Sequence, residues 1–148
     1  MELFIKRNGL KAEIISGGDF SSSASAASSL NLTTNEILKS ILLICDNKPV
    51  IVFLRGSKRI SLSKIKKLGF KSARMANEKE IIEVTGYRRG GVPPIDLPEN
   101  LVKIIDEDII SEETMYAGGG DLDKTLKISI KDVIRINKPK IANISEDQ

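Results

Sequence analysis

Ile37-Leu38-Lys39-Ser40-Ile41-Leu42-Leu43-Ile44-Cys45 is followed by Asp46-Asn47-Lys48-Pro49 and then by Val50-Ile51-Val52-Phe53-Leu54. Two apolar, β-branched runs around four turn-forming residues predict a β-hairpin, with the second strand starting at Val50. Just before it, Thr33-Thr34-Asn35-Glu36 matches a capping box, which opens a helical turn by satisfying its free N–H groups. Beyond it, Ser61 is placed to cap a helix running to Leu68, and Asn77 with Glu80 to cap another that stops at Gly86. Strands are expected at Ala12–Ile15, Val102–Ile105, Glu113–Ala117 and Lys140–Ile144. Leu126-Lys127-Ile128-Ser129-Ile130 alternates strictly, as a half-buried strand does. Short helices are expected at Glu2–Asn8, closed by Gly9, at Ser23–Ser29, and near Lys131–Ile136, capped by Ser129 with Asp132. Short strands mixed irregularly with short helices mark an α+β fold rather than a doubly wound sheet.

The 148 residues predict one domain spanning positions 1–148, long enough to bury roughly 68–70% of its unfolded surface. Aromatic residues make up only 4% and there is no Trp, so the core must be aliphatic. No apolar run approaches the roughly 18 residues that would span a bilayer, and the first residues lack the order of a signal peptide. The single Cys45 excludes an intrachain disulfide. Together these features predict a cytoplasmic protein without a membrane partner.

The chain has no His. That removes Ser/His and Cys/His nucleophiles and His-containing zinc sites together, and one Cys cannot build a thiolate site. Neither a metal nor a cofactor is expected. Any chemistry must use Lys, Asp, Glu, Ser, Thr, main-chain groups or the substrate itself.

Net charge is +3, but the charges are segregated along the chain. Between Asp46 and Glu78 there is no acidic residue, while Lys48, Arg55, Lys58, Arg59, Lys64, Lys66, Lys67, Lys71 and Arg74 fall within it. From Asp96 to Asp123 the acidic residues are opposed only by Lys103. A basic block of this kind suits a phosphate backbone; the alternative is a lysine-rich solvated face.

Three features stand out as chemistry. Lys39 lies inside an apolar strand, where an inward-pointing ammonium is costly unless an anion or a carbonyl-rich partner meets it. Gly86-Tyr87-Arg88-Arg89-Gly90-Gly91-Val92-Pro93-Pro94 combines glycines, which admit close approach to the main chain, with prolines that stiffen the loop. Such a loop can present an N–H to an ester carbonyl, or be a plain turn. Ala117-Gly118-Gly119-Gly120-Asp121 lacks the spacing of a dinucleotide fingerprint and reads as a turn or as the wall of a small-substrate pocket.

These three features, in this order, resemble the family of YbaK-type proteins and prolyl-tRNA synthetase-associated editing domains. The likeness runs from about Ile37 to Ile144. Lys39-Ser40 is similar to the family's Lys, usually followed by Thr, and Gly90 and Pro94 are similar to the ends of its Gly-x-x-x-Pro loop. Asp106, Met115-Tyr116-Ala117-Gly118-Gly119 and Lys140-Ile141-Ala142-Asn143-Ile144 also match in kind. The resemblance implies one compact α+β domain with a mixed, mostly antiparallel curved sheet, a partial barrel flanked by short helices.

It further implies a trans-editing hydrolase that cleaves the 3′ ester of mischarged aminoacyl-tRNA, with Ala, Cys or Ser as the amino acid removed. Lys39 and Gly90 would carry catalysis. Ser40, Gly91, Val92, Pro94, Gly118, Gly119 and Gly120 would bind the substrate, and Arg55, Lys58, Arg59, Arg88 and Arg89 the tRNA. The implied partners are mischarged tRNA and, secondarily, an aminoacyl-tRNA synthetase, not DNA. The alternative is a non-catalytic tRNA- or synthetase-binding module of the same fold. Three departures bear on which amino acid is rejected: Leu126-Lys127-Ile128 stands where some relatives carry Asp, the pocket His of others is missing, and a serine tract occupies Ser21–Ser29.

Overall fold

The computed structural model describes residues 1–148. Its first half comprises α1 (Glu2–Arg7), β1 (Ala12–Ser16), α2 (Ser23–Leu30), β2 (Leu38–Cys45), β3 (Lys48–Arg55), β4 (Lys58–Ile60) and α3 (Leu62–Lys66). The second comprises β5 (Ala73–Met75), α4 (Glu78–Thr85), β6 (Val102–Asp106), β7 (Thr114–Gly118), β8 (Lys124–Ser129), α5 (Ile130–Asn137), β9 (Lys140–Ala142) and β10 (Ser145–Asp147). The α+β class is as the sequence predicted.

The hairpin forms, but its turn is shorter than four residues. Asp46 and Asn47 both take positive φ, 51° and 65°, and Cys45 pairs directly with Lys48. A two-residue turn with both φ positive matches the twist of the flanking strands, and Asx residues tolerate that region. Lys48 and Pro49 therefore belong to β3. The hairpin anchors a five-stranded sheet of order β5-β2-β3-β6-β9, antiparallel through β3 and parallel beyond it. A second sheet, β1-β8-β7, is wholly antiparallel, and β10 pairs with β4. None of the three closes on itself; β2 meets β7 through one parallel bridge, Ile37 to Tyr116.

Side chains of β2 divide between two cores because successive residues point to opposite faces. Leu38 and Leu42 join a cluster with Ile51, Phe53, Ile105 and Leu126, while Leu43 and Cys45 join one with Val52, Leu54, Ile65 and Ile104. With both faces of the sheet covered, Val50 to Leu54 is buried without a break.

Helix ends follow the local chemistry. Ser22 caps α2 through Ser25 N–H, Ser61 caps α3 through Lys64 N–H, and Asn77 with Glu80 forms a full capping box on α4. The Thr33/Glu36 box opens only a 3-10 turn before the chain extends into β2. Ser129 makes no capping bond to α5; Asp132 instead accepts Lys11 N–H at 2.6 Å, tying the helix to the chain entering β1. The short strands β4 and β5 carry no periodic signal, and the expected closing strand breaks after Ala142 so that β10 can turn onto β4.

Asp106 is fully buried, and its carboxylate accepts Ser145 Oγ and Ile144 N–H, fastening the chain before β10 to the end of β6. Asp106→Ala would leave both donors buried without an acceptor. The expected cost is about 1–3 kcal/mol for each stranded group, read as a lowered denaturant midpoint. Wild-type stability in that variant would refute the fastening role.

Candidate active site at the open edge of β2

The candidate site grows from a gap in the strand ladder. Through its odd-numbered residues, from Cys45 back to Lys39, β2 bonds to β3, as the Cys45–Lys48 closing pair requires. Its even-numbered residues turn their N–H and C=O to the other edge. There Ile44 lies opposite Arg74 in β5, and the Leu42 carbonyl accepts Ala76 N–H at 3.0 Å. At the opposite end Ile37 bridges to β7. Between these contacts the edge is open at Ser40, which has no ladder partner on that side.

A cavity of about 500 Å³ lies along this edge. Its walls combine β2, the end of β5, the β7 residues Tyr116 to Gly118, the segment Phe20–Ser23 leading into α2, and Arg89, Gly90 and Val92 from the glycine-proline loop. The lining is mostly apolar, and no Asp or Glu side chain contributes to it. Ser40 Oγ is the one buried side-chain polar atom without a hydrogen-bond partner. Thr125 Oγ1, by contrast, donates to Ala117 O at 2.9 Å.

The loop's main chain explains its glycines. Gly90 has φ 85°, and a methyl group there would overlap the Ser21 carbonyl oxygen. Gly118 lies so close to the Val92 carbonyl that a Cβ would overlap it as well. These contacts knit the loop, the Ser21 segment and β7 into one wall. Within the loop, Gly91 N–H donates to Arg88 O at 2.9 Å and Arg89 N–H to the Glu78 carboxylate. The N–H groups of Gly90 and Val92 make no hydrogen bond, so these two are available to a ligand carbonyl.

Lys39 supplies the site's charge. It is half-buried, forms no ion pair, and has as its sole hydrogen-bond partner the Gly56 carbonyl, 3.5 Å from Nζ. Burial pushes its pKa below the ordinary lysine value. Arg89, exposed at the rim, is paired loosely with Glu78 at 3.8 Å.

The structure thus brings Lys39, Ser40, Gly90, Val92, Gly118 and Arg89 to one cavity and keeps other predicted residues out of its lining. Gly91 has spent its N–H, Gly119 packs against Lys124 and Thr125, and Gly120 donates to Gly91 O from behind the wall. Pro94 is buried, its carbonyl bound by Asn137. The Arg55 guanidinium makes four hydrogen bonds within the protein, to the Asp108 carboxylate and carbonyl, Glu112 and Asn35 O, and acts as an internal clamp. Lys58 and Arg59 are paired with Asp108 and Glu146, and Arg74 with Glu80. Asp108 and Glu112 thereby fold back on part of the basic block, while Lys48, Lys64, Lys66, Lys67 and Lys71 make no ion pair. Arg88 stays exposed without an ion pair. Sequence reasoning named neither Phe20 nor Thr125 as lining residues; it tied the Ser21–Ser29 tract to amino-acid choice and Tyr116 to the family's strand without placing either in the cavity wall.

The cavity thus has a lining without carboxylates, two unbonded main-chain donors among its residues and an ammonium without an ion pair. Residues 18–136 match the family described as the aminoacyl-tRNA editing domain, and the chain belongs to that family. It is 35% identical over 95 residues to a proline–tRNA ligase of Lactobacillus johnsonii, covering 64% of this chain and 17% of that enzyme. Against the proline–tRNA ligase of Halalkalibacterium halodurans it is 29% identical over 116 residues, covering 78% and 20%. The chain therefore spans about a fifth of the length of these relatives. A crystal structure of a hypothetical protein superposes with a TM-score of 0.91 at 31% identity, covering 98% of both chains. A structure described as a "putative trans-editing enzyme for prolyl tRNA synthetase" superposes with a TM-score of 0.87 at 22% identity, covering 98% of this chain and 94% of that one. The domain is an aminoacyl-tRNA editing domain that resembles a segment of proline–tRNA ligases.

Proposed function

We propose that the chain is an aminoacyl-tRNA deacylase acting in trans, cleaving the 3′ ester of a small amino acid held on the wrong tRNA. The observation that carries this reading is that Lys39, which has no ion pair, and Gly90 and Val92, whose N–H groups make no hydrogen bond, line one cavity without a carboxylate in its lining. An aminoacyl ester is already activated, so positioning and polarisation of its carbonyl suffice without a strong protein base. Lys39 holds the polar terminus of the tRNA. The loop N–H groups stabilise the negative charge that develops on the ester oxygen. Water or the substrate's own hydroxyl delivers the attack. Arg88 and Arg89, beside the opening, meet the acceptor-end phosphates, which makes binding fall steeply with added salt.

The test is single-turnover deacylation of alanyl-, cysteinyl- and seryl-tRNA by the intact chain. At least one ester is expected to be cleaved well above its spontaneous rate. Salt-sensitive tRNA binding with no cleavage of any ester would instead mark a non-catalytic binding module.

A further inference from the structure

The gap in the β2 ladder has a shape that a particular ligand group completes. Ser40 offers one N–H donor and one C=O acceptor on the same edge, the set that a residue of a neighbouring antiparallel strand would satisfy. β5 is bonded to this edge only as far as Leu42, and β7 touches it at Ile37. Ser40 is the unmatched rung between them. Met75, Ala76, Tyr116 and Ala117 line the same cavity as Ser40. The rung is too short for a further strand of the protein.

An aminoacyl ester carries the complementary pair in the right order. Its carbonyl oxygen is the acceptor, and its α-ammonium, one carbon away, is the donor, as in a single residue of a strand. We propose that the aminoacyl group of the substrate docks on Ser40 as a one-residue strand. The Ser40 N–H donates to the ester carbonyl, and the α-ammonium donates to the Ser40 carbonyl. The ester oxygen has two lone pairs, so the Ser40 N–H and a loop N–H can share it. Bonds from an ionised donor are about twice as strong as neutral ones, so the ammonium half carries most of the selection. The inference rests on the deacylase reading and deepens it. The site demands a free α-ammonium and so rejects N-acylated and α-hydroxyacyl esters.

The test uses the intact chain and whichever of the alanyl, cysteinyl and seryl esters it cleaves fastest. The same tRNA is also charged with the N-acetyl form and with the α-hydroxy analogue of that amino acid. Each rate is divided by the spontaneous hydrolysis rate of the same ester, which removes the intrinsic effect of the ammonium on ester reactivity. The expected result is a kcat/KM enhancement about 10- to 100-fold lower for both analogues. The α-hydroxy analogue matches the substrate in size, so its loss reports the charge rather than crowding. Equal enhancement for the amino and α-hydroxy esters would overturn the one-residue strand while leaving the deacylase intact. Cleavage of none of the esters would defeat both.

Discussion

Lys39→Ala is expected to lower single-turnover deacylation by about 10²-fold, the scale on which a bound reacting group misplaced by about 1 Å loses rate. The reason lies in the absence of competition. Nζ has no carboxylate partner and only a carbonyl at 3.5 Å, so its charge is free for the substrate. Lys39→Arg should not restore the rate, because a planar guanidinium does not fit where a compact ammonium does. Stability should move the other way. Burial holds the folded-state pKa of Lys39 below 10.5, so folding disfavours the charged form. That penalty is fully present below the folded-state pKa and disappears as pH rises through it toward the unfolded value. Lys39→Met, which keeps the apolar stem, should therefore melt higher than wild type at pH 7, with the gap closing in alkali. Wild-type deacylation by folded Lys39→Ala protein would end the catalytic assignment. A melting gap independent of pH would remove the burial explanation.

Gly90→Ala is expected to disable the same site by a different route. The residue sits at φ 85°, where a side chain costs about 1–3 kcal/mol, and the new methyl would overlap the Ser21 carbonyl. Overpacking adds about 1–3 kcal/mol, so a clear loss in denaturant midpoint is expected. To relieve the overlap, either the loop or the Ser21 segment must move. The first displaces the Gly90 and Val92 N–H groups, and the second opens the cavity wall. Deacylation under folding conditions should fall by about 10²-fold or more. Gly91→Ala is the useful contrast, since its Cβ would meet nothing closer than the Gly120 carbonyl at 3.2 Å. If Gly90→Ala and Gly91→Ala behave alike in both stability and rate, the close approach to Ser21 has no role.

Much of the architecture was legible because it follows from short-range chemistry. The Asn77/Glu80 box and Gly86 delimited α4, Ser61 began α3, and alternation found β8. The Lys39 strand and the glycine-proline loop identified the family. Three-residue strands such as β4 and β5 were not legible, since three residues hold no period and exist only because a partner strand lies beside them.

The site divides in the same way. Sequence by itself determined the α+β class, the lack of any imidazole and the presence of one lysine in an apolar strand, because these depend on composition and on neighbours within a few residues. Only the tertiary structure decided which groups are free. Arg55 was drawn into a clamp with Asp108 and Glu112, more than fifty residues away in the chain, and Gly91 spent its N–H on Arg88 while Gly90 and Val92 kept theirs. The open rung at Ser40 exists because β5 stops and β7 diverges along one edge of β2. Hydrogen-bond donors and charges are available only when no partner reaches them, and the partners come from parts of the chain that only folding brings near.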